Sequence, residues 1–236
     1  MKSNKEIKSL SIDTSFEHCS LAVQIGDEIN ELCELTPKTH TQLILPMLQK
    51  ILDNAKIKLT DLDFIAFGAG PGSFTSVRLA TSLVQGLAFG AGLPVVAVST
   101  LHALAKEIHD EYGAEYVFTG MDARMDEIYW GVYKFDDHGV SISVVDDMLA
   151  KPEAVIIPKL DVSINCFGAG SAWNVYQDDL AKRFSGKIEI KNNLFPRAKY
   201  IAKLAILAYS NNNFGDWHNA LPVYLRDKVT HGTNKE

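Results

Sequence analysis

The chain has 236 residues and a formal net charge of −6, with 47% hydrophobic and 22% charged residues. Such a length holds one large domain or two lobes of roughly 100–120 residues each, and the composition is that of an ordinary globular protein. The acidic balance excludes a global basic field for nucleic acid, and no apolar run approaches the ~18 residues of a membrane span, so a cytoplasmic protein without a signal peptide is expected.

In chain order, Ser9–Asp13 reads as a strand ending in Asp13-Thr14-Ser15. Cys19–Ile25 and Glu28–Leu35 follow as a second and third strand joined by a Gly26-Asp27 hairpin. Thr39–Ala55 has helical spacing. Ile44, Leu48, Ile51 and Ala55 make a core stripe, which Leu43, Leu45, Met47 and Leu52 widen almost all the way round. A helix apolar on two sides is buried on two sides, and one of them is expected to face a partner. Pro46 fits this helix if it falls within about the first turn, where N–H groups lack intrahelical partners.

Phe64–Phe67 is a short buried strand, after which Gly68, Gly70, Pro71 and Gly72 force a tight turn. Ser73 is placed as the N-cap of a helix over Thr75–Gly90. Val77, Ala80, Val84 and Leu87 line its core side, while Ser82, Gly86 and Gly90 recur every four residues, where a second backbone could approach. Each glycine weakens an isolated helix by roughly 1 kcal/mol relative to Ala, so close packing is expected to compensate. Strand, glycine-rich turn and helix start can present backbone N–H groups to an anion, or can simply turn a corner. Pro94–Val98 is then a strand and Thr100–His109 a helix.

The order recurs. Tyr116–Met121 is a strand ending at Asp122, Glu127–Phe135 a second, Asp136–Gly139 a turn and Val140–Val145 a third. Asp146–Leu160 reads as a polar connection with one short helix, and Ile164–Phe167 as a strand running into Gly168-Ala169-Gly170-Ser171. Phe-Gly-Ala-Gly thus occurs at 67–70 and 167–170, each time after a meander whose first strand ends in Asp. This implies an internal duplication. Ala172–Phe184 and Ala198–Tyr209 are closing helices, Leu221–Arg226 is extended, and a disordered tail is expected from Asp227.

Candidate chemistry is sparse. No two of the seven histidines are three or four residues apart, and Cys19, Cys33 and Cys166 have no paired spacing, so reduced thiols and no dedicated metal site are expected. There is no Gly-x-x-x-x-Gly-Lys-Ser/Thr loop, and no Lys or Arg directly follows Asp13-Thr14-Ser15. Ser73, Ser76 and Cys19 lack a histidine at motif distance, which disfavours a peptidase.

Two lobes that each open with a β-meander and close with helices resemble the actin, Hsp70 and sugar-kinase superfamily. The implied fold is α/β, two-lobed and actin-like (ASKHA, ribonuclease H-like), built from a duplicated β-β-β-α-β-α unit. The first lobe would span 1–110 and the second 111–236, with the C-terminal segment returning to the first. Ile12-Asp13-Thr14-Ser15, Gly68-Ala69-Gly70-Pro71-Gly72-Ser73-Phe74-Thr75-Ser76-Val77-Arg78 and Asp122-Ala123-Arg124-Met125-Asp126-Glu127-Ile128-Tyr129 together resemble the TsaB (YeaZ) family. His40, Leu45-Pro46 and Pro222-Val223-Tyr224-Leu225-Arg226 add to the likeness, while Ser76 stands where the family usually has Gly.

The resemblance implies a non-catalytic subunit of the bacterial tRNA threonylcarbamoyl transferase. It would bind and activate the catalytic relative TsaD, with the ATPase TsaE in a ternary complex, to modify the adenosine beside the anticodon. Contact with tRNA would come through the complex, and a homodimer would form without TsaD. Expected partner-face residues are His40, Leu43, Met47, Val77, Arg78, Leu79, Ser82, Leu83, Gly86 and Gly90. Expected vestigial nucleotide residues are Asp13, Thr14, Ser15, Gly68, Gly70, Gly72, Gly168 and Gly170. No cofactor is required by this chain, with ATP or ADP and Mg placed at the level of the complex. Two readings stand beside it: a cleft ATPase with Mg-ATP on Asp13 and the Gly68–Gly72 turn, and a homodimeric scaffold. Arg78 is either a partner contact or one half of a salt bridge, and Asp122, Arg124 and Glu127 are expected to form an ion network at the hinge.

Overall fold

Alternating side chains along the strands decide how the layers stack. In the computed structural model, which describes residues 6–35, 40–160, 165–184 and 188–226, two five-stranded sheets form. The first sheet takes β1 (Lys8–Asp13), β2 (His18–Ile25), β3 (Glu28–Leu35), β4 (Phe64–Gly70) and β5 (Val95–Ser99) in the order β3-β2-β1-β4-β5. The β1–β2 and β2–β3 pairs are antiparallel, and β1–β4 and β4–β5 are parallel. Helix α1 (His40–Ala55) links β3 to β4, α2 (Phe74–Ala91) links β4 to β5, and α3 (Thr100–Tyr112) leaves β5.

The second sheet repeats that plan. β6 (Tyr116–Asp122), β7 (Ile128–Phe135), β8 (Ser141–Ala150), β9 (Cys166–Ala169) and β10 (Glu189–Lys191) lie in the order β8-β7-β6-β9-β10, with the same alternation of antiparallel and parallel pairs. Strand order, and not the shared tetrapeptide alone, establishes the duplication. The fifth strand, Glu-Ile-Lys, is too short and too charged to carry a sequence signal.

Two boundaries differ from the sequence reading. β8 runs through Asp146-Asp147 to Ala150, because the Asp147 carboxylate is met by Tyr133 Oη of the neighbouring β7 and by Ser99 Oγ, at the end of β5 in the first sheet, at 2.5 Å. The helix expected over 172–184 is two pieces, α4 (Ala172–Val175) and α5 (Gln177–Ala181), broken at Tyr176. Trp173 is fully buried and its indole N–H donates to Phe118 O at 2.9 Å, pinning the first piece before the chain turns to bury Leu180. Thr39, Ile164 and the expected tail from Asp227 lie outside the described residues.

On β4, Ile65 and Phe67 join α1 and α2 in one core, while Phe64 and Ala66 join Tyr200, Ile201 and Leu204 of α6 (Ala198–Ser210) in another. In the second sheet, Val117, Tyr133 and Phe135 pack on α3, and Phe118, Trp130 and Val132 pack on Trp173 and Leu180. The layer order is therefore α1 and α2, first sheet, α3 and α6, second sheet, α4 and α5. Helix α3 sits between the sheets, and nearly every residue from Thr100 to Ile108 is buried.

Burying α3 all round takes Glu107 out of water and pushes its carboxyl up to about 7, an effect opposed by Arg197. Arg197, just before α6, donates to Glu107 Oε1 at 3.3 Å and to Glu31 Oε2 at 3.1 Å through Nε. Glu31 also accepts the Lys199 N–H at 3.0 Å, and Ser20 Oγ accepts the Ala198 N–H at 3.0 Å, so β2 and β3 cap α6. Arg197→Ala would strand two carboxylates whose side chains are 9% and 6% exposed. The expected loss is about 2–3 kcal/mol, less than for a fully buried pair because Arg197 reaches solvent. A urea-unfolding midpoint equal to that of the unaltered chain would remove this clamp from the account.

Candidate functional site

The glycine-rich corner after β4 is built from contacts that leave no room for a side chain. A Cβ on Gly68 would come 1.9 Å from Asp13 Oδ2, and one on Gly72 would come 2.6 Å from Ser15 O. Asp13 Oδ1 accepts from Ser15 N at 3.1 Å and Ser15 Oγ at 2.8 Å, the self-capped turn common after a strand-end Asp. Thr14 Oγ1 donates to Ser76 O at 2.6 Å, Ser73 N to Ser15 O at 2.8 Å, and Thr100 Oγ1 to Pro71 O at 2.5 Å. Burial pushes the Asp13 carboxyl up to about 7, against the lowering effect of the two Ser15 bonds.

A cleft of about 650 Å³ opens above this corner, between the lobes, with Phe16, Gly72, Phe74, Asp122, Arg124 and Tyr129 among its walls. Of the eight residues expected as a vestigial nucleotide site, Gly72 alone lines it. Asp13, Thr14 and Ser15 are buried beneath its floor, and Gly68 and Gly70 are buried with them. In the second lobe, Gly168 backs onto Trp173, where a Cβ would meet the ring at 2.6 Å, and Gly170 backs onto Gly120 O at 2.3 Å. The carboxylate that the cleft-ATPase reading would give to magnesium is thus spent on its own turn, and the residues do not fit that metal. Among the described residues no three His, Cys, Asp or Glu side chains gather closely enough for another.

Two features give the cleft its character. Ser73 occupies the N-cap position of α2 but makes no side-chain cap bond, so the first turn of α2 meets the cleft uncapped. Opposite it, Arg124, Met125 and Asp126 are three successive residues at φ 62°, 59° and 59°. Left-handed helical backbone costs such residues roughly 1–2 kcal/mol each. Asp122 accepts from Arg124 N at 2.9 Å and from its Nη1 at 3.0 Å, while Arg226 pairs with Glu127 at 2.5 Å. The hinge network is therefore two ion pairs, the second completed by a C-terminal arginine.

Helix α2 carries the other candidate surface. Arg78, Ser82, Gly86 and Gly90 are exposed along one face, and a Cβ on Gly86 or Gly90 would meet nothing within 4 Å. These glycines are not compensated by close packing inside the chain. Phe89, between them, is 68% exposed and meets Trp217 edge-on at 5.2 Å. Sequence reading missed Phe89, although a large aromatic beside two helical glycines was a legible signal. Leu43, Leu79 and Leu83 are half-buried, and His40 turns to the cleft. Met47 and Val77, expected on the partner face, are instead core residues, at 3% and 1% exposure, because their helices turn those positions onto the first sheet. Pro46 lies in the second turn of α1 rather than the first, on its exposed side. Arg78 has aromatic partners: its guanidinium lies 3.7 Å above the Phe74 ring and Nε donates to Tyr224 Oη at 2.6 Å.

Comparison with known proteins places this geometry. The family model described as TsaD: tRNA N6-adenosine threonylcarbamoyltransferase matches residues 32–230. The tRNA threonylcarbamoyladenosine biosynthesis protein TsaB of Escherichia coli (strain K12) is 37% identical over 223 residues, covering 94% of this chain and 96% of its own. The chain belongs to the TsaB family. The TsaB protein of Haemophilus influenzae (strain ATCC 51907 / DSM 11121 / KW20 / Rd) is 35% identical over 228 residues, 94% of each chain. The solved structure of YeaZ from Pseudomonas aeruginosa superposes with a TM-score of 0.85 at 38% identity, covering 93% of this chain and 100% of that one. No helix among the described residues is long and apolar enough to cross a membrane.

In this TsaB-family chain the buried Asp13 has a measurable signature. Burial pushes its carboxyl up to about 7, above the ordinary 3.8 of an aspartate, so the folded state holds the proton more tightly. That stabilisation is present at acid pH and is lost as pH rises toward 7. Asp13→Asn is expected to abolish that decline, on the order of 2–4 kcal/mol across the window. Urea unfolding at several pH values reads it, and parallel pH profiles for the two proteins would contradict the assignment.

Proposed function

We propose that this chain is the non-catalytic subunit of a tRNA threonylcarbamoyladenosine-forming complex, binding and activating a TsaD-like transferase through the exposed face of α2. The observation that carries this reading is the stripe Arg78, Ser82, Gly86, Phe89 and Gly90, solvent-facing and with open space above both glycines. A helix face of small residues beside an unburied aromatic lets a second helix approach closely and seat a side chain against Phe89. The half-buried Leu43 on α1 and Leu79 and Leu83 on α2 extend it into the core. A second copy of this chain would use the same face when the transferase is absent. A small ATPase of the TsaE kind would join the pair, tRNA would be reached through the complex, and the site would be cytoplasmic.

Nucleotide bound in the cleft is the second reading, favoured by the uncapped start of α2 and by Arg124 on the facing wall. With Asp13 sealed away, binding of ATP or ADP would depend on groups supplied by the complex. Saturable ATP hydrolysis by the purified chain alone would overturn the subunit reading in favour of an ATPase.

Gly86→Glu tests the partner face cleanly. The new side chain enters open space, and removing a helical glycine is worth a few tenths to about 1 kcal/mol, so the monomer should be as stable or more so. Association with the transferase is expected to weaken at least about 100-fold, because the carboxylate is buried unpaired at the contact. Undiminished threonylcarbamoyl-tRNA formation in a reconstituted mixture containing this variant would reject the face.

A further inference from the structure

We propose that residues 221–226 form a releasable latch that holds the cleft closed by tying the corner of the first lobe to the 122–127 loop of the second. Val223 N donates to Ala69 O at 2.7 Å at the end of β4. Gly70, at φ +115°, is the seat of this contact: a Cβ there would come 2.8 Å from Val223 O. Its second-lobe counterpart Gly170 faces Gly120 O instead, so the two related corners differ in what rests on them. From that seat the strap crosses to the other lobe. Arg226 pairs with Glu127 Oε2 at 2.5 Å and reaches Arg124 O at 3.3 Å and Met125 Sδ at 3.4 Å.

Between those ends, Tyr224 lies 5.4 Å from the Phe74 ring and accepts the Arg78 hydrogen bond. Val223, Tyr224, Leu225 and Arg226 all line the cleft, so whatever fills it presses on the strap. The strap is built to release. Ala220 is fully buried and its carbonyl accepts from Gln85 Nε2 at 2.8 Å, which fixes a hinge. Beyond it no residue from Leu221 to Arg226 is buried, and Leu221, Val223 and Tyr224 are 59%, 47% and 43% exposed. Segments held by a few exposed hydrogen bonds open at small cost. Arg226 also touches the left-handed Arg124–Met125 backbone, so release frees that loop to relax.

This inference stands apart from the partner reading, since it concerns the two lobes of one chain. Amide hydrogen exchange on the full chain tests it. Arg226→Ala is expected to speed exchange at both 69–78 and 122–128 by about fivefold or more, with α3 and α6 unchanged. Glu127→Gln, which cuts the same tie from the other lobe, should reproduce that pattern, and Tyr224→Phe should give a weaker version of it. Acceleration confined to 122–128 in both tie-cutting variants, with 69–78 exchanging at the original rate, would overturn the latch.

Discussion

The burial of α3 between two sheets is the constraint on which the rest of the molecule depends. Over Thr100–Ile108 this helix has almost no solvent-facing side, so its charged residues Lys106 and Glu107 need partners within the protein. Lys106 is answered within the helix by Asp110 at 2.6 Å, and Asp110 is answered from α6 by Lys203 at 2.6 Å. Glu107 is answered by Arg197, which simultaneously holds Glu31 of β3. The result is that α6, late in the chain, is locked onto the first sheet while α3 is locked against the second. Those pairs join α3 to α6 and β3, and the apolar packing of Leu101, Leu104 and Ile108 against Val117, Tyr133 and Phe135 joins α3 to the second sheet.

The duplicated corner shows how one local solution serves two ends. In both copies a strand ending in Phe-Gly-Ala runs into a glycine at positive φ, and in both a side chain fills the space that a Cβ would take two residues earlier: Asp13 against Gly68, Trp173 against Gly168. In the first copy the filling group is a carboxylate, bound to its own turn through Ser15. Open to the cleft are the uncapped helix start, aromatic rings, Arg124 and Arg226, and the acidic residues Glu17 and Asp122.

Much of this was legible in the sequence. Alternating apolar residues bounded by Gly26-Asp27 and by Asp136–Gly139 specified both meanders, because strand period and turn chemistry are local properties. The repeated Phe-Gly-Ala-Gly marked both corners, and Ser82, Gly86 and Gly90 marked the open face of α2. Asp13 as a residue capping its own turn was also readable, from its position at a strand end.

Tertiary structure alone decided the rest, because it turns on contacts between residues far apart in the chain. Asp146-Asp147 looks like a loop until Ser99 and Tyr133 arrive to bind Asp147. Met47 and Val77 are apolar residues on helices with more than one apolar side, and only packing on the first sheet shows which side is covered. Arg78 was equally suited to a carboxylate or a partner, and within the chain it meets the Phe74 ring and the hydroxyl of Tyr224, 146 residues away. The sequence by itself determined most of the elements and pointed to the duplication, since these rest on periodicity, backbone preference and a repeated motif. Which glycine is filled by a neighbour, which by a returning strap and which by nothing was settled only when the C-terminal residues came back to the first lobe.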